Sequence, residues 1–283
     1  MRFSATSVWD ETNPWRNARE CMVDEDADVE FDVVFLSGTD WRRVIPEHER
    51  PEYARPVVNL IQHVRHADPD DPLGRHMLLR HKAIRICVSR EVEEAIIATG
   101  KVRGPVFTIP DAIDVAEVER MSAAPRRDIQ VLVAANKQPE LGAAVAAKLR
   151  SAGAEVELVT TRIPRVELLG LIGRARVIVL VPNPQEGFYL PAIEAMAAGA
   201  VVVCPDCVGT RSFCADGTNC LNPPYDEPAI VAAAKRALDL DAGRAAEMRE
   251  QARVTAHAHD LQAERAAFLE ILDRVEDLWS RDY

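Results

Sequence analysis

Residues 176–221, RVIVLVPNPQEGFYLPAIEAMAAGAVVVCPDCVGTRSFCADGTNCL, read as strand, sharp loop, helix, strand and second loop. The apolar run 176–181 stops at Pro182, Asn183 and Pro184, and Glu186-Gly187 stands where a helix is about to begin. That helix, expected over 188–198, turns its first unpaired N–H groups and the positive end of its dipole toward the carboxyl edge of the sheet. In an open α/β sheet ligands bind at this edge, and a phosphate or a sugar hydroxyl carried on a nucleotide suits it. Gly187 removes the side chain that would block a close approach. Glu186 and Glu194, eight positions apart, can accept hydrogen bonds from different hydroxyls of one extended ligand. Glu194 taken alone reads first as a solvated helix carboxylate or half of an internal salt bridge, and it is the surrounding residues that favour a ligand.

The alternation of Val/Ile-rich runs with Ala/Glu/Arg/Leu segments continues on both sides, the pattern of parallel α/β architecture. Strands are expected near 1–7, 31–37, 56–61, 84–88 and 105–109, and again from 129 and at 155–159, 176–181, 200–203 and 219–222. Helices are expected over 139–151 and 164–174, and the chain after Pro228 reads as helical. Its last segment carries an apolar stripe of Leu261, Ala266, Leu269, Leu272, Val275 and Leu278, which needs a partner surface. Pro, Ala and charge mix between 110 and 127, so the expected division is an N-terminal half 1–110, a linker 111–127, a C-terminal half 128–258 and a terminal helix 259–283 that crosses back.

A chain of 283 residues with 48% hydrophobic and 28% charged residues has the balance of a globular protein. Its net charge of −11, from 34 Lys and Arg against 45 Asp and Glu, has the wrong sign for steering toward nucleic acid or an anionic membrane. No apolar run of 18 residues occurs, and the first ten residues lack the apolar stretch of a signal peptide, so a cytoplasmic location is expected. Cys204, Cys207, Cys214 and Cys220 give C-x2-C-x6-C-x5-C, a spacing four thiolates can use for zinc. Buried free cysteine is the favoured alternative, and no metal is expected.

The stretch 186–203 resembles the donor-site motif of retaining glycosyltransferases with the GT-B fold, the group 1 type with E-x7-E. The family order of acidic residue, Gly-Phe turn, Leu-Pro, Glu-Ala-Met-Ala-x-Gly and valine-rich strand stands here as Glu186, Gly187, Phe188, Leu190, Pro191, Glu194, Ala195, Met196, Ala197, Gly199 and Val201 to Val203. The resemblance covers about 128–240 and implies two Rossmann-like domains facing across a cleft, here in a compact version. It also implies that Glu186 contacts the transferred sugar and Glu194 the ribose hydroxyls, while Gly187, Phe188 and Tyr189 offer N–H groups and Leu190 joins the donor site. More weakly, PVVNLIQHVRHA is similar to the acceptor-domain strand ending in a histidine, which makes His63 its counterpart and His66 the fallback. ICVSREVEEAI and VFTIPDAID are similar to the next strand-helix unit and the exit from that domain.

Family members usually grip the donor diphosphate with Arg and Lys on a loop after the first strand of the donor domain. Here the overlay puts Asn136 and Leu141 at those positions, and QPELGAAVAAKL also resembles a later strand-helix unit, as if one β-α unit were missing. Lys137, Arg162, Arg165 and Arg211 are the available cations, Lys137 and Arg211 favoured by loop position. The family's first glycine-rich loop is replaced by the polar, aromatic run Trp9 to Trp15, in which Thr12, Asn13 and Trp15 are acceptor-side candidates. The expected activity is transfer of a hexose-type sugar from a nucleoside diphosphate sugar to a glycan, lipid-linked or small-molecule acceptor, with retention and without an obligatory metal or other cofactor. The alternatives are a noncatalytic sugar-nucleotide-binding or partner subunit and a zinc-stabilised interaction module.

Overall fold

A computed structural model describes residues 32–41, 55–124 and 126–281. The strand expected at 1–7 and the candidates Thr12, Asn13 and Trp15 lie outside the described residues. What is described forms two four-stranded parallel sheets.

The first sheet has the order β1 (Val34–Ser37), β2 (Val57–Ile61), β3 (Ile84–Cys87), β4 (Val106–Thr108). Helices α1 (Arg75–Leu78) and α2 (Arg90–Ala98) connect its strands, and Ser89 caps α2 by accepting the Val92 N–H. All four β3 residues are buried, Arg85 included. The Arg85 guanidinium donates to the carbonyl oxygens of Leu79, His81 and Arg103, each at 2.6 Å, so carbonyl dipoles replace the water it loses. Burial still lowers its pKa to about 10.

The chain then crosses through 109–114 into α3 (Val115–Met121), capped by Asp114. The second sheet has the order β6 (Val156–Val159), β5 (Ile129–Ala134), β7 (Ala175–Leu180), β8 (Val201–Val203), with α4 (Pro139–Ser151), α5 (Arg165–Arg174) and α6 (Leu190–Ala197) between its strands. Because β5 is bonded directly to β7, the loop after β5 opens beside the loop after β7. Helices α7 (Glu227–Leu238) and α8 (Ala242–Ala258) cover this half, and α9 (Leu261–Asp273) and α10 (Val275–Ser280) return to the first sheet.

Outgoing and returning crossings run side by side: the Ile113 N–H donates to the His259 carbonyl at 3.0 Å, and the Leu261 N–H to the Ile113 carbonyl at 2.9 Å. One apolar cluster spans both halves, taking Ile61, Val88 and Val92 from the first, Val115 and Val118 from α3, and Leu169, Phe188 and Met196 from the second. The domains are therefore joined by packed surface as well as by chain.

Three expectations need correction. The terminal stripe is misplaced in its first part, since Leu261, Leu269 and Leu272 are 46%, 48% and 40% exposed, whereas Ile271, Val275 and Leu278 pack on Val58, Ile84, Ile86 and Ile109. The helix ends at Asp273 and restarts at Val275, so one continuous period cannot describe both pieces. The helix expected from 188 starts at Leu190, because Tyr189 is its N-cap with non-helical backbone angles of φ −109° and ψ 80°; the Tyr189 N–H is taken by the Gly209 carbonyl at 3.1 Å. The strand expected at 219–222 is reduced to isolated bridges, Val203 with Leu221 and Asp216 with Cys220.

Candidate active site

The two acidic residues of the motif sit at the carboxyl edge of the second sheet, Glu186 in the loop after β7 and Glu194 within α6. Each is held through one oxygen by a cation distant in sequence. Glu186 Oε1 accepts from Lys137 Nζ at 2.7 Å, from Asn183 Nδ2 at 3.1 Å and from the Asn183 N–H at 3.3 Å. Lys137, on the loop after β5, also lies 5.4 Å from the Tyr189 ring centroid, while its neighbour Gln138 donates to Asn183 Oδ1 at 2.9 Å. The loop that carries Glu186 is thus fixed from the adjacent loop.

Glu194 is buried, and its Oε1 accepts from Arg165 Nε at 2.7 Å. Arg165 opens α5 and uses Nη1 to reach Glu117 Oε2 on α3 at 2.8 Å. Burial works against the charge on Arg165, but hydrogen bonds to Glu194 and Glu117 outweigh it and leave its pKa raised. Arg165 is therefore committed to two carboxylates, and the diphosphate candidates divide accordingly. Lys137 sits on Glu186, and Arg211 forks onto Asp206 at 2.9 and 2.8 Å. Arg162 is exposed, with no ion-pair partner among the described residues.

Across the cleft, Gly187 lies against the end of β2. A Cβ there would run into the Gln62 carbonyl and meet His63 Cα, which is why this position carries none. His63 starts a 3-10 turn at Val64–Ala67, where its Nδ1 accepts the Arg65 N–H at 3.1 Å. Burial first, then the Arg65 charge, lowers its pKa, so near neutral pH the ring is uncharged and carries its proton on Nε2. His66 is buried behind the turn, its pKa lowered to about 4 by burial and then by Arg75.

Gly187 and Phe188 have N–H groups with no acceptor among the described residues, whereas that of Tyr189 is occupied by Gly209, contrary to the expectation of three free donors. Phe188 and Tyr189 are buried and Leu190 half-buried. The loop from Cys207 to Arg211 clamps this segment, with the Val208 N–H donating to the Pro184 carbonyl at 3.1 Å. Cys204, Cys207 and Cys220 are buried; a hydrogen bond with Cys220 and burial push the Cys214 thiol up, and burial does the same for Cys204. Among the described residues, no group of three or more His, Cys, Asp and Glu side chains is arranged to hold a metal ion.

Two parallel α/β halves facing across a cleft, joined by paired crossings and a returning C-terminal helix, define the GT-B glycosyltransferase class. The glycosyl transferases group 1 family profile matches residues 93–239, more than half of the chain, and the protein belongs to that family. In fold it is similar to sucrose-phosphate synthase from Thermosynechococcus elongatus, with a TM-score of 0.67 at 16% identity over 87% of this chain and 74% of that one. A glycosyltransferase from Rickettsia africae gives 0.66 at 10% identity over 93% and 88%. Anabaena HepE, in complex with UDP, gives 0.59 at 15% identity over 77% and 72%. No curated protein matches by sequence. Among the described residues, no helix is long and apolar enough to cross a membrane.

Proposed function

We propose that this glycosyltransferase moves a hexose-type sugar from a nucleoside diphosphate sugar to an acceptor hydroxyl, with retention at the anomeric carbon and no obligatory metal. The observation that carries this reading is the pair Glu186 and Glu194, each tied through Oε1 and each with Oε2 free of hydrogen bonds among the described residues, beside the N–H groups of Gly187 and Phe188, which have no acceptor among the described residues. Glu194 accepts from the ribose hydroxyls and Glu186 from the sugar. Negative charge developing on the leaving diphosphate is met by those two N–H groups, by the start of α6 and by Lys137, whose ammonium already stands over the loop. Positive charge developing on the sugar ring is met by the Glu186 carboxylate. His63, neutral with Nε2–H, is a donor to a sugar hydroxyl from the opposite wall.

That HepE is found with UDP makes UDP the first ligand to try. The test is a thermal-shift panel of UDP, GDP, ADP, TDP and CDP on the wild type and Glu194→Ala, followed by turnover of the matching sugar nucleotides with and without a chelator. One diphosphate should stabilise the wild type and far less the variant. Stabilisation without turnover of any donor supports a noncatalytic sugar-nucleotide-binding subunit, and no stabilisation by any diphosphate removes the donor-site reading.

A further inference from the structure

We infer that Arg165 is a positioning residue of the donor site, which aims the Glu194 carboxylate at the ribose and is itself anchored on the helix that follows the interdomain crossing. The inference rests on the donor-site reading of Glu194 and adds a residue outside the motif. Arg165 stands 29 positions before Glu194, on another helix, yet its Nε meets Glu194 Oε1 at 2.7 Å and its Nη1 meets Glu117 Oε2 at 2.8 Å. Two carboxylates on different elements are thus held by adjacent nitrogens of one planar group. A guanidinium allows this geometry and a lysine does not, since its single nitrogen can sit against one carboxylate or between both but cannot fix their planes.

Burial of the acceptor explains why an anchor is needed. Glu194 is 8% exposed, and a carboxylate taken that far from water without a partner loses most of its hydration. Arg165 supplies the missing charge through Oε1 alone. Oε2 has no partner among the described residues but is not sealed from solvent, so it remains open to a ligand. Held at one oxygen, the carboxylate has its rotation fixed, and a ribose hydroxyl meets an acceptor already in place. Glu117 fixes Arg165 in turn, and because α3 follows directly on the 109–114 crossing, the orientation of the ribose acceptor is tied to the position of the crossing.

The experiment compares the Kd of UDP with that of 2′-deoxy-UDP, or the corresponding pair for another base the panel selects, on the wild type, Glu194→Ala, Arg165→Met, Arg165→Lys and Glu117→Gln. A hydroxyl bonded to a carboxylate makes the deoxy ligand weaker by about tenfold or more. We expect that ratio to fall to about threefold or less in Arg165→Met and in Arg165→Lys, and to an intermediate value in Glu117→Gln. A merely structural salt bridge weakens both ligands equally and leaves the ratio unchanged, which overturns the inference. If Arg165→Met does not fold, Arg165→Lys and Glu117→Gln decide, and an unchanged ratio in both overturns it. A ratio that collapses in Glu194→Ala but holds in the Arg165 variants removes Arg165 alone. A ratio insensitive to Glu194→Ala removes the reading of Glu194 as the ribose acceptor, and this inference with it.

Discussion

Replacing Gly187 by alanine places a methyl group against the Gln62 carbonyl and His63 Cα, all of it backbone on the opposite wall of the cleft. No rotamer relieves such a contact, so the loop carrying Glu186 and the end of β2 must part. Overpacking of this kind costs about 1–3 kcal/mol. At roughly 2–4 °C per kcal/mol for a chain of this order, the melting temperature should fall by about 2–12 °C. If the halves open instead, the strain is relieved but Glu186 and His63 move apart, and under the proposed function a displacement of about 1 Å lowers turnover on the order of a hundredfold. Differential scanning fluorimetry and a sugar-nucleotide turnover assay measure the two responses. Gly170→Ala is the control, since nothing lies within 4 Å of its Cβ position, and it should stabilise by about 0.4–1 kcal/mol. If Gly187→Ala matched the wild type in both melting temperature and kcat/KM, the close approach of the two loops would be wrong.

Three further outcomes follow from buried charge. His66 titrates near 4 when folded and near 6.5 when unfolded, so the unfolded chain takes up its proton first as pH falls; stability from this group is intact at pH 7 and about 2–3 kcal/mol lower at pH 4.5. His66→Asn should remove that part of the acid sensitivity in urea melts at the two pH values. Asp111, beside Glu264 at the paired crossings, has the opposite sign: burial and then Glu264 raise its pKa to about 7, so stability is lost as pH rises toward that value. Asp111→Asn should stabilise by about 1–3 kcal/mol at pH 8 and by less at pH 5, and a larger gain at the lower pH would contradict it. Arg85→Met removes three hydrogen bonds and leaves the His81 carbonyl oxygen without a donor among the described residues, while those of Leu79 and Arg103 keep the N–H groups of Arg103 and Ala83; it should cost about 1–3 kcal/mol in chemical denaturation, and a loss under about 0.5 kcal/mol would show that water replaces the guanidinium.

The amino-acid sequence by itself determined the alternation of parallel strands and helices, because period and turn residues are local, and α4 spans Pro139–Ser151 as the pattern predicts. It also carried, in one continuous run at 186–199, the order of residues by which the chain resembles the group 1 glycosyltransferases, the family to which it belongs. Only the tertiary structure decided what holds that motif. Lys137 and Glu186 lie 49 positions apart, and Arg165 and Glu194 lie 29 apart; each pair meets because β5 and β7 are neighbours in the sheet or because α5 and α6 pack together, facts no local period contains. The same holds for the terminal segment, whose apolar residues were visible while the break at Arg274, and so the face that reaches the first sheet, was not. Side chains on different elements acquire partners through the packing of those elements, and that packing is a property of the whole chain.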